Sequence, residues 1–179
     1  MNKFGLTKET VFEVMKETSS AMKRFRLEYL DKYGVNVSNK LLSELVSKIM
    51  EAKAEMIFTK ALGYEIKKET KDSEPDLFFT KMNAPLEIKT TSTLTAWTGG
   101  EFSKRPFDYL LVSWGGNFDE FFVTLVKLKK SDWKSNFSKN FYGPSYSAQK
   151  LFKRKDKEIF LGSFEKSKRG AIKIAREKV

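Results

Sequence analysis

"SEPDLFFTKMNAPLEIKTTS", residues Ser73 to Ser92, reads as two short strands joined by a turn. Yet it carries Asp76, Glu87 and Lys89 where a quiet hairpin would hold neutral residues. Alternate side chains of a strand share a face, so Glu87 and Lys89 point one way while Leu86 and Ile88 point the other. The apolar pair enters the core and leaves a carboxylate beside an ammonium on the opposite side. Asp76 opens the preceding strand directly after Pro75, and a turn at "KMNAP" returns the chain so that Asp76 comes near Glu87. Two carboxylates this close raise one another's pKa unless a cation lies between them. A divalent metal resolves that conflict, and the adjacent lysine is placed to orient or help deprotonate a water.

The spacing of acid, any residue, lysine is uninformative alone, because it occurs five times: at Glu51, Glu65, Glu69, Glu87 and Asp132. The Pro-Asp pair occurs once, and only Glu87 follows it at hairpin distance, leading into the β-rich "KTTST". The combination carries the information.

Around this hairpin the periodicity changes twice. "TKETVFEVMKETSSAMKRFRLEYLDKYG" has helical spacing from Val11 through Phe25 to Leu30, with Thr7 as cap and Gly34 as stop. A second long helix runs through "NKLLSELVSKIMEAKAEMIFTKALG", capped by Asn39, with Leu42, Leu45, Val46 and Ile49 on one face and Gly63 at its end. Then "YEIKK", "DLFFT", "LEIKTT", "FDYLLVSWG" and "EFFVTLVKLK" are short, aromatic or β-branched and bounded by turn residues, "GGNFD" connecting the last two as a hairpin. The remainder is mixed, with a short helix near Ser147 to Arg154. No repeat or linker marks a boundary, so residues 1–179 are expected to form a single domain: a helical part over 1–38, a core over 39–128 and a basic part over 129–179. Helices first and strands after predict an α/β fold, a central mixed sheet of about five strands flanked by helices.

Composition narrows the chemistry. The chain has 179 residues with neither cysteine nor histidine, which removes thiol nucleophiles, imidazole bases and zinc sites built from them. A metal here is held by oxygen, which favours a hard ion such as Mg²⁺. The net charge of +11 is unevenly spread, since residues 129–179 hold 15 basic and 5 acidic side chains. A field concentrated in this way attracts polyanions, and nucleic acid is the expected partner. No apolar run approaches transmembrane length, and "MNKFGLTKETVFEV" lacks a signal-peptide core, so a cytoplasmic protein with no membrane partner is expected.

"PD" followed by "LEIK", after a long helix ending in "LGYE", resembles the PD-(D/E)XK nuclease superfamily, which has the restriction-endonuclease-like fold. The likeness runs from about Asn39 to Trp114, and "WTGGEFSKRPFDYLLVSW" looks like segments of type II restriction enzymes. The resemblance implies that Asp76, Glu87 and the Ile88 carbonyl are Mg²⁺ ligands and that Lys89 activates the water. Many members add a glutamate from the first core helix. Glu55 and Glu51 are the candidates, with Glu55 preferred for its distance to Gly63.

DNA contacts are expected from two places. Lys104 and Arg105 follow the paired glycines of "AWTGGEFSKRPFD" and would reach phosphates or guanine edges. Lys153, Arg154 and Lys155 are the expected phosphate binders of "SDWKSNFSKNFYGPSYSAQKLFKRK". There Trp133, Phe137, Phe141, Tyr142 and Tyr146 interleave with lysines and amides, Trp133 and Phe137 being read as core. The resemblance implies a Mg²⁺-dependent type II restriction endonuclease, a homodimer cutting double-stranded DNA at a short palindrome and leaving 5′-phosphates. Two alternatives stand beside it: a structure-specific nuclease such as a Holliday-junction resolvase or repair endonuclease, and a non-catalytic basic nucleic-acid-binding protein.

Overall fold

The structure, a computed structural model, describes residues 2–68, 74–138 and 141–179, with side chains described except at 101, 135–138, 141 and 142. The chain opens with helix α1 (Lys8–Phe25). Thr7 caps it through a reciprocal pair of hydrogen bonds with Thr10, which satisfies N–H groups that a helix start leaves open. Residues Arg26–Asp31 continue as a wider π-turn, and Gly34, at φ +64°, ends the run where a left-handed residue is needed. Helix α2 (Asn39–Leu62) follows and stops at Gly63, φ +71°. Its cap is Ser38 rather than Asn39: the Ser38 hydroxyl accepts from Leu41 N–H at 3.2 Å, and Asn39 is already helical. Two good capping residues stand side by side, and the first one starts the helix.

Among the described residues, twelve strands follow or interleave. Those of the expected core are β1 (Ile66–Lys68), β2 (Leu77–Phe79), β3 (Ala84–Thr91), β5 (Phe107–Gly115) and β6 (Glu120–Leu128). β4 (Ala96–Thr98) lies in the connection between β3 and β5. The basic part adds β7 (Lys134–Ser138), β8 (Phe141–Ser147), helix α3 (Ala148–Lys153), β9 (Glu158–Leu161), β10 (Ser163–Lys166), β11 (Ile172–Ala175) and β12 (Glu177–Lys178).

The central sheet has seven strands rather than about five, in the order β1-β2-β3-β5-β6, with β12 and β9 both pairing β6. β9 and β12 come from the basic part, so the end of the chain completes the core instead of hanging from it. The sheet is mixed: β3 and β5 run parallel, while the other pairs are antiparallel. Small sheets β4-β8-β7 and β10-β11 stand beside it. The fold is therefore mixed α/β, a central mixed sheet flanked by helices. Among the described residues, no helix is long and apolar enough to cross a membrane.

Both faces of the sheet are buried, which is why "FDYLLVSW" is nearly continuous in apolar residues rather than alternating. Leu86, Ile88, Leu110, Val112, Phe121 and Val123 pack with α1 and α2, on Val14, Met15, Met50 and Phe58. Tyr109, Leu111, Phe122 and Val126 pack on the other face with Trp97, Trp133, Tyr146 and Leu151. Trp133 is thus a core residue as expected, and so is Tyr146; the side chains of Phe137, Phe141 and Tyr142 lie outside the described residues. Burying each large side chain contributes roughly 1.5–3 kcal/mol relative to exposure.

The connection between parallel β3 and β5 positions the site. Such a crossover usually carries an α-helix. Here β4 and a short 3₁₀ turn (Glu101–Lys104) take its place. Trp97 is the anchor, fully buried, with its indole N–H donating to the Val112 carbonyl at 2.9 Å. At Gly99 the backbone passes so close to Trp133 that a Cβ would lie 2.9 Å from the indole ring, and at Gly100 a Cβ would lie 3.7 Å from Lys89 Nζ.

Candidate active site

The β2–β3 hairpin forms as its sequence directs. Residues Thr80–Met82 make a 3₁₀ turn and Asn83 takes the left-handed conformation, φ 48°, which asparagine tolerates better than most residues. The register pairs Leu77 with Leu86, so Asp76, one step before β2, is level with Glu87. The Ile88 N–H donates to Asp76 Oδ2 at 2.7 Å, which fastens the acid across the end of the hairpin.

Glu87 is 4% exposed. Its Oε1 accepts from Lys89 Nζ at 2.5 Å, while its Oε2 is buried with no hydrogen-bond partner. Burial raises its pKa to about 7, and the Asp76 charge adds to the rise against the opposing pull of Lys89. The predicted convergence of Asp76, Glu87 and Lys89 is therefore present, and Ile88 lines the same cleft.

The third acid comes from α2, and it is Glu51. Glu51 is 1% exposed, accepts from Ser47 Oγ at 3.1 Å and from Lys48 Nζ at 2.9 and 3.1 Å, and is pushed up in pKa by burial and by Asp76. Glu55 faces elsewhere: its Oε1 accepts from the Lys68 N–H at 3.2 Å and holds the start of the sheet to the helix. The preference for Glu55 is thus corrected to Glu51. Asp76 is the middle of a chain of acids, interacting with Glu51 on one side and Glu87 on the other. Among the described residues, no group of three or more acidic side chains closes tightly enough to hold a metal ion as a set.

Two residues that the sequence reading passed over also belong here. Lys48 Nζ lies 4.0 Å from Asp76 Oδ1 in addition to its bonds with Glu51. Its spacing three residues before Glu51 is the signal that would have found it. Tyr109 stands opposite Glu87 in the β3–β5 register, fully buried, with a hydroxyl that has no partner. Burial and the Glu87 charge both push its phenol pKa well up.

Of these groups, Lys48, Glu51, Asp76 and Lys89 open onto a cleft of about 400 Å³ between α2 and β3, lined also by Ile88 and Thr90, whereas Glu87 and Tyr109 are not among its lining residues. Larger hollows of about 630 and 560 Å³ run along α1 and α2 beside Glu17 and Lys53, but the acids that line them, Glu9, Glu13, Glu17 and Glu28, are exposed or half-buried rather than buried. Electrostatic conflict, not volume, marks the site.

The expected DNA contacts divide. Lys104 and Arg105 are exposed on the connection that passes Lys89, Arg105 resting over Phe102 and Phe107 at 5.3 and 5.5 Å. Lys153 and Lys155 are exposed. Arg154 is not a free phosphate binder: it reaches Asp132 at 3.0 Å, the Lys127 carbonyl at 2.7 Å and Asp156 at 2.5 Å. Its guanidinium pins the segment after α3 to Asp132 and to the Lys127 carbonyl of β6.

No protein-family model, curated protein or solved structure matches the chain.

Proposed function

We propose that the chain is a Mg²⁺-dependent DNA endonuclease of the PD-(D/E)XK kind, with a restriction-endonuclease-like core, acting as a type II restriction enzyme. One observation carries the reading. A buried Glu87 oxygen without a partner stands beside the Asp76 carboxylate, and Lys89 holds the other oxygen. Folding has forced two acids into a conflict that a hard cation removes. The donor set fits such an ion: Asp76, Glu87 and the Ile88 carbonyl would hold it. When bound, Mg²⁺ lowers the pKa of its water, neutralises the phosphate and stabilises the departing oxygen.

The chain's own residues account for the rest. Ile88 N–H fixes the Asp76 carboxylate, and burial keeps Glu87 from turning away to solvent. The Lys89 ammonium, steadied by Glu87, sets positive charge where the attacking water and the pentavalent phosphorus build up negative charge. Water attacks in line and the sugar oxygen leaves. The resemblance implies that a 5′-phosphate and a 3′-hydroxyl remain. Lys104, Arg105, Lys153 and Lys155 supply exposed positive charge for the duplex backbone.

A homodimer accompanies this reading, because a palindromic site calls for two symmetric cutting centres. Support comes from the α1–α2 connection and the first turn of α2, where Leu27, Tyr29, Tyr33, Val35 and Leu41 are all exposed. Apolar side chains gathered in this way mark interaction surfaces.

The test is digestion of phage DNA with and without Mg²⁺. Discrete bands that need the ion support the proposal. A smear, or cutting confined to branched DNA, moves the reading to a structure-specific nuclease, and no cutting leaves a binding protein.

A further inference from the structure

Lys48 stands where none of the expected chemistry needs it. Its Nζ bonds both oxygens of Glu51, at 2.9 and 3.1 Å, and lies 4.0 Å from Asp76 Oδ1. The ammonium therefore bridges the acid of the helix and the acid of the hairpin. The stem is anchored differently: 65% of the side chain is exposed, while Glu51 beneath it is 1% exposed. Burial would by itself lower the Lys48 pKa, but the hydrogen bond to Glu51 and the charges of Glu51, Asp76 and Glu87 outweigh it and raise the value.

We propose that Lys48 is the resident counter-cation of the carboxylate chain, which a divalent ion must displace before it can bind. This rests on the reading of Asp76 and Glu87 as a cation site. With Glu51, Asp76 and Glu87 ionised, Lys48 and Lys89 leave one net negative charge at the site, too little to draw a divalent ion strongly. Withdrawal of Lys48 doubles that charge and frees Asp76 Oδ1. Lys89 is not the ammonium that leaves, because its own side chain is only 23% exposed against 65% for Lys48, although both carboxylate partners are buried. Lys48 has solvent to swing into, its side chain being 65% exposed, and the arriving ion takes over the charge of buried Glu51 that would otherwise be left uncompensated. It is a positioning residue: it keeps the acids in place without the ion and yields to it. Glu87, with a buried oxygen that has no partner and within electrostatic reach of Asp76, is the independent sign that the site awaits a ligand.

The experiment is calorimetric titration of Mn²⁺ alone, without DNA, at pH 8 and low salt. It compares the wild type with Lys48→Met, Lys48→Arg and Lys40→Met. Lys40 lines the same cleft but pairs with Glu44 at 3.9 Å, so it controls for loss of a nearby charge. Lys48→Met is expected to bind about five- to tenfold more tightly, or to bind where the wild type does not, while Lys48→Arg and Lys40→Met stay within about twofold of the wild type. Without the ion, Lys48→Met melts lower than the wild type, and saturating Mn²⁺ closes the gap. Equal or weaker binding by Lys48→Met, with a wild type that binds, overturns the proposal and leaves the cation site standing. So does an equal gain in Lys40→Met, which would mark general electrostatics. Absence of binding in every variant removes the cation site itself, and this role of Lys48 with it.

Discussion

Asp76 Oδ2 and the main-chain N–H of Ile88 are joined by a 2.7 Å hydrogen bond that spans the open end of the β2–β3 hairpin. The bond gives one carboxylate two duties, holding a strand and presenting an oxygen to the cleft. The two duties separate by substitution. Asp76→Asn keeps an acceptor for Ile88 and should melt close to the wild type, yet lose cleavage by about a hundredfold or more. Asp76→Ala loses both, and its stability should fall by about 1–3 kcal/mol in denaturant titration. Wild-type cutting by either variant removes Asp76 from the site.

Glu87 makes a pH prediction. Its folded pKa is about 7, whereas the free side chain titrates near 4.5, so between those values the folded protein holds a proton that the unfolded chain has released. Stability without metal therefore falls as pH rises through that window. Thermal melting in a chelator from pH 5 to 8 should show the decline, and Glu87→Gln should flatten it. A cation needs the ionised form, so its affinity should rise over the same interval, and this rise should vanish in Glu87→Gln.

Lys89→Ala should abolish cleavage while leaving the affinity for duplex DNA within about threefold, because a single ammonium is lost from a broad basic surface. It should also raise the Glu87 pKa further, since Lys89 is the main group that opposes the rise. A shift of the pH-dependent step upward in this variant checks the coupling independently of catalysis.

Glu51 and Glu55 are set against each other. Glu51→Gln should weaken cation binding and slow cutting, whereas Glu55→Gln should do neither and should only loosen β1 through the Lys68 bond. A larger effect on cleavage from Glu55→Gln reverses the assignment.

Arg154→Ala should cost about 1.5–3 kcal/mol of stability through its lost bonds to Asp132 and Asp156. The loss of DNA affinity should be small. Lys153→Ala with Lys155→Ala should show the opposite: unchanged melting, weaker binding and a shallower dependence of affinity on salt.

How far the sequence speaks depends on how local each decision is. The helix boundaries, the five core strands and the hairpin around Asp76 rest on capping residues, periodicity and turn chemistry within a few positions, and they are legible. β9 and β12 are not. They are short, at four and two residues, and their partner β6 lies about thirty residues or more away, so only the tertiary fold makes them strands. Glu51 and Glu55 share a helix face by spacing. The choice between them is made by where Asp76 ends up against α2, which no local pattern records. Arg154 was readable as a charge but not as a brace, although Asp156, two residues on, was already in view.

The Gly99–Gly100 pair has one more consequence. One glycine is pressed on the Trp133 indole, the other faces the Lys89 ammonium, and the Gly99 N–H is tied to the Pro144 carbonyl at 2.6 Å. Trp133 and Pro144, in the basic part of the chain, are thus joined to the surroundings of Lys89 through two adjacent glycines. Under the proposed nuclease reading, a duplex docked on the basic part would be felt at Lys89 through these two peptide units, so that gripping the polymer and aligning the lysine would become one mechanical event.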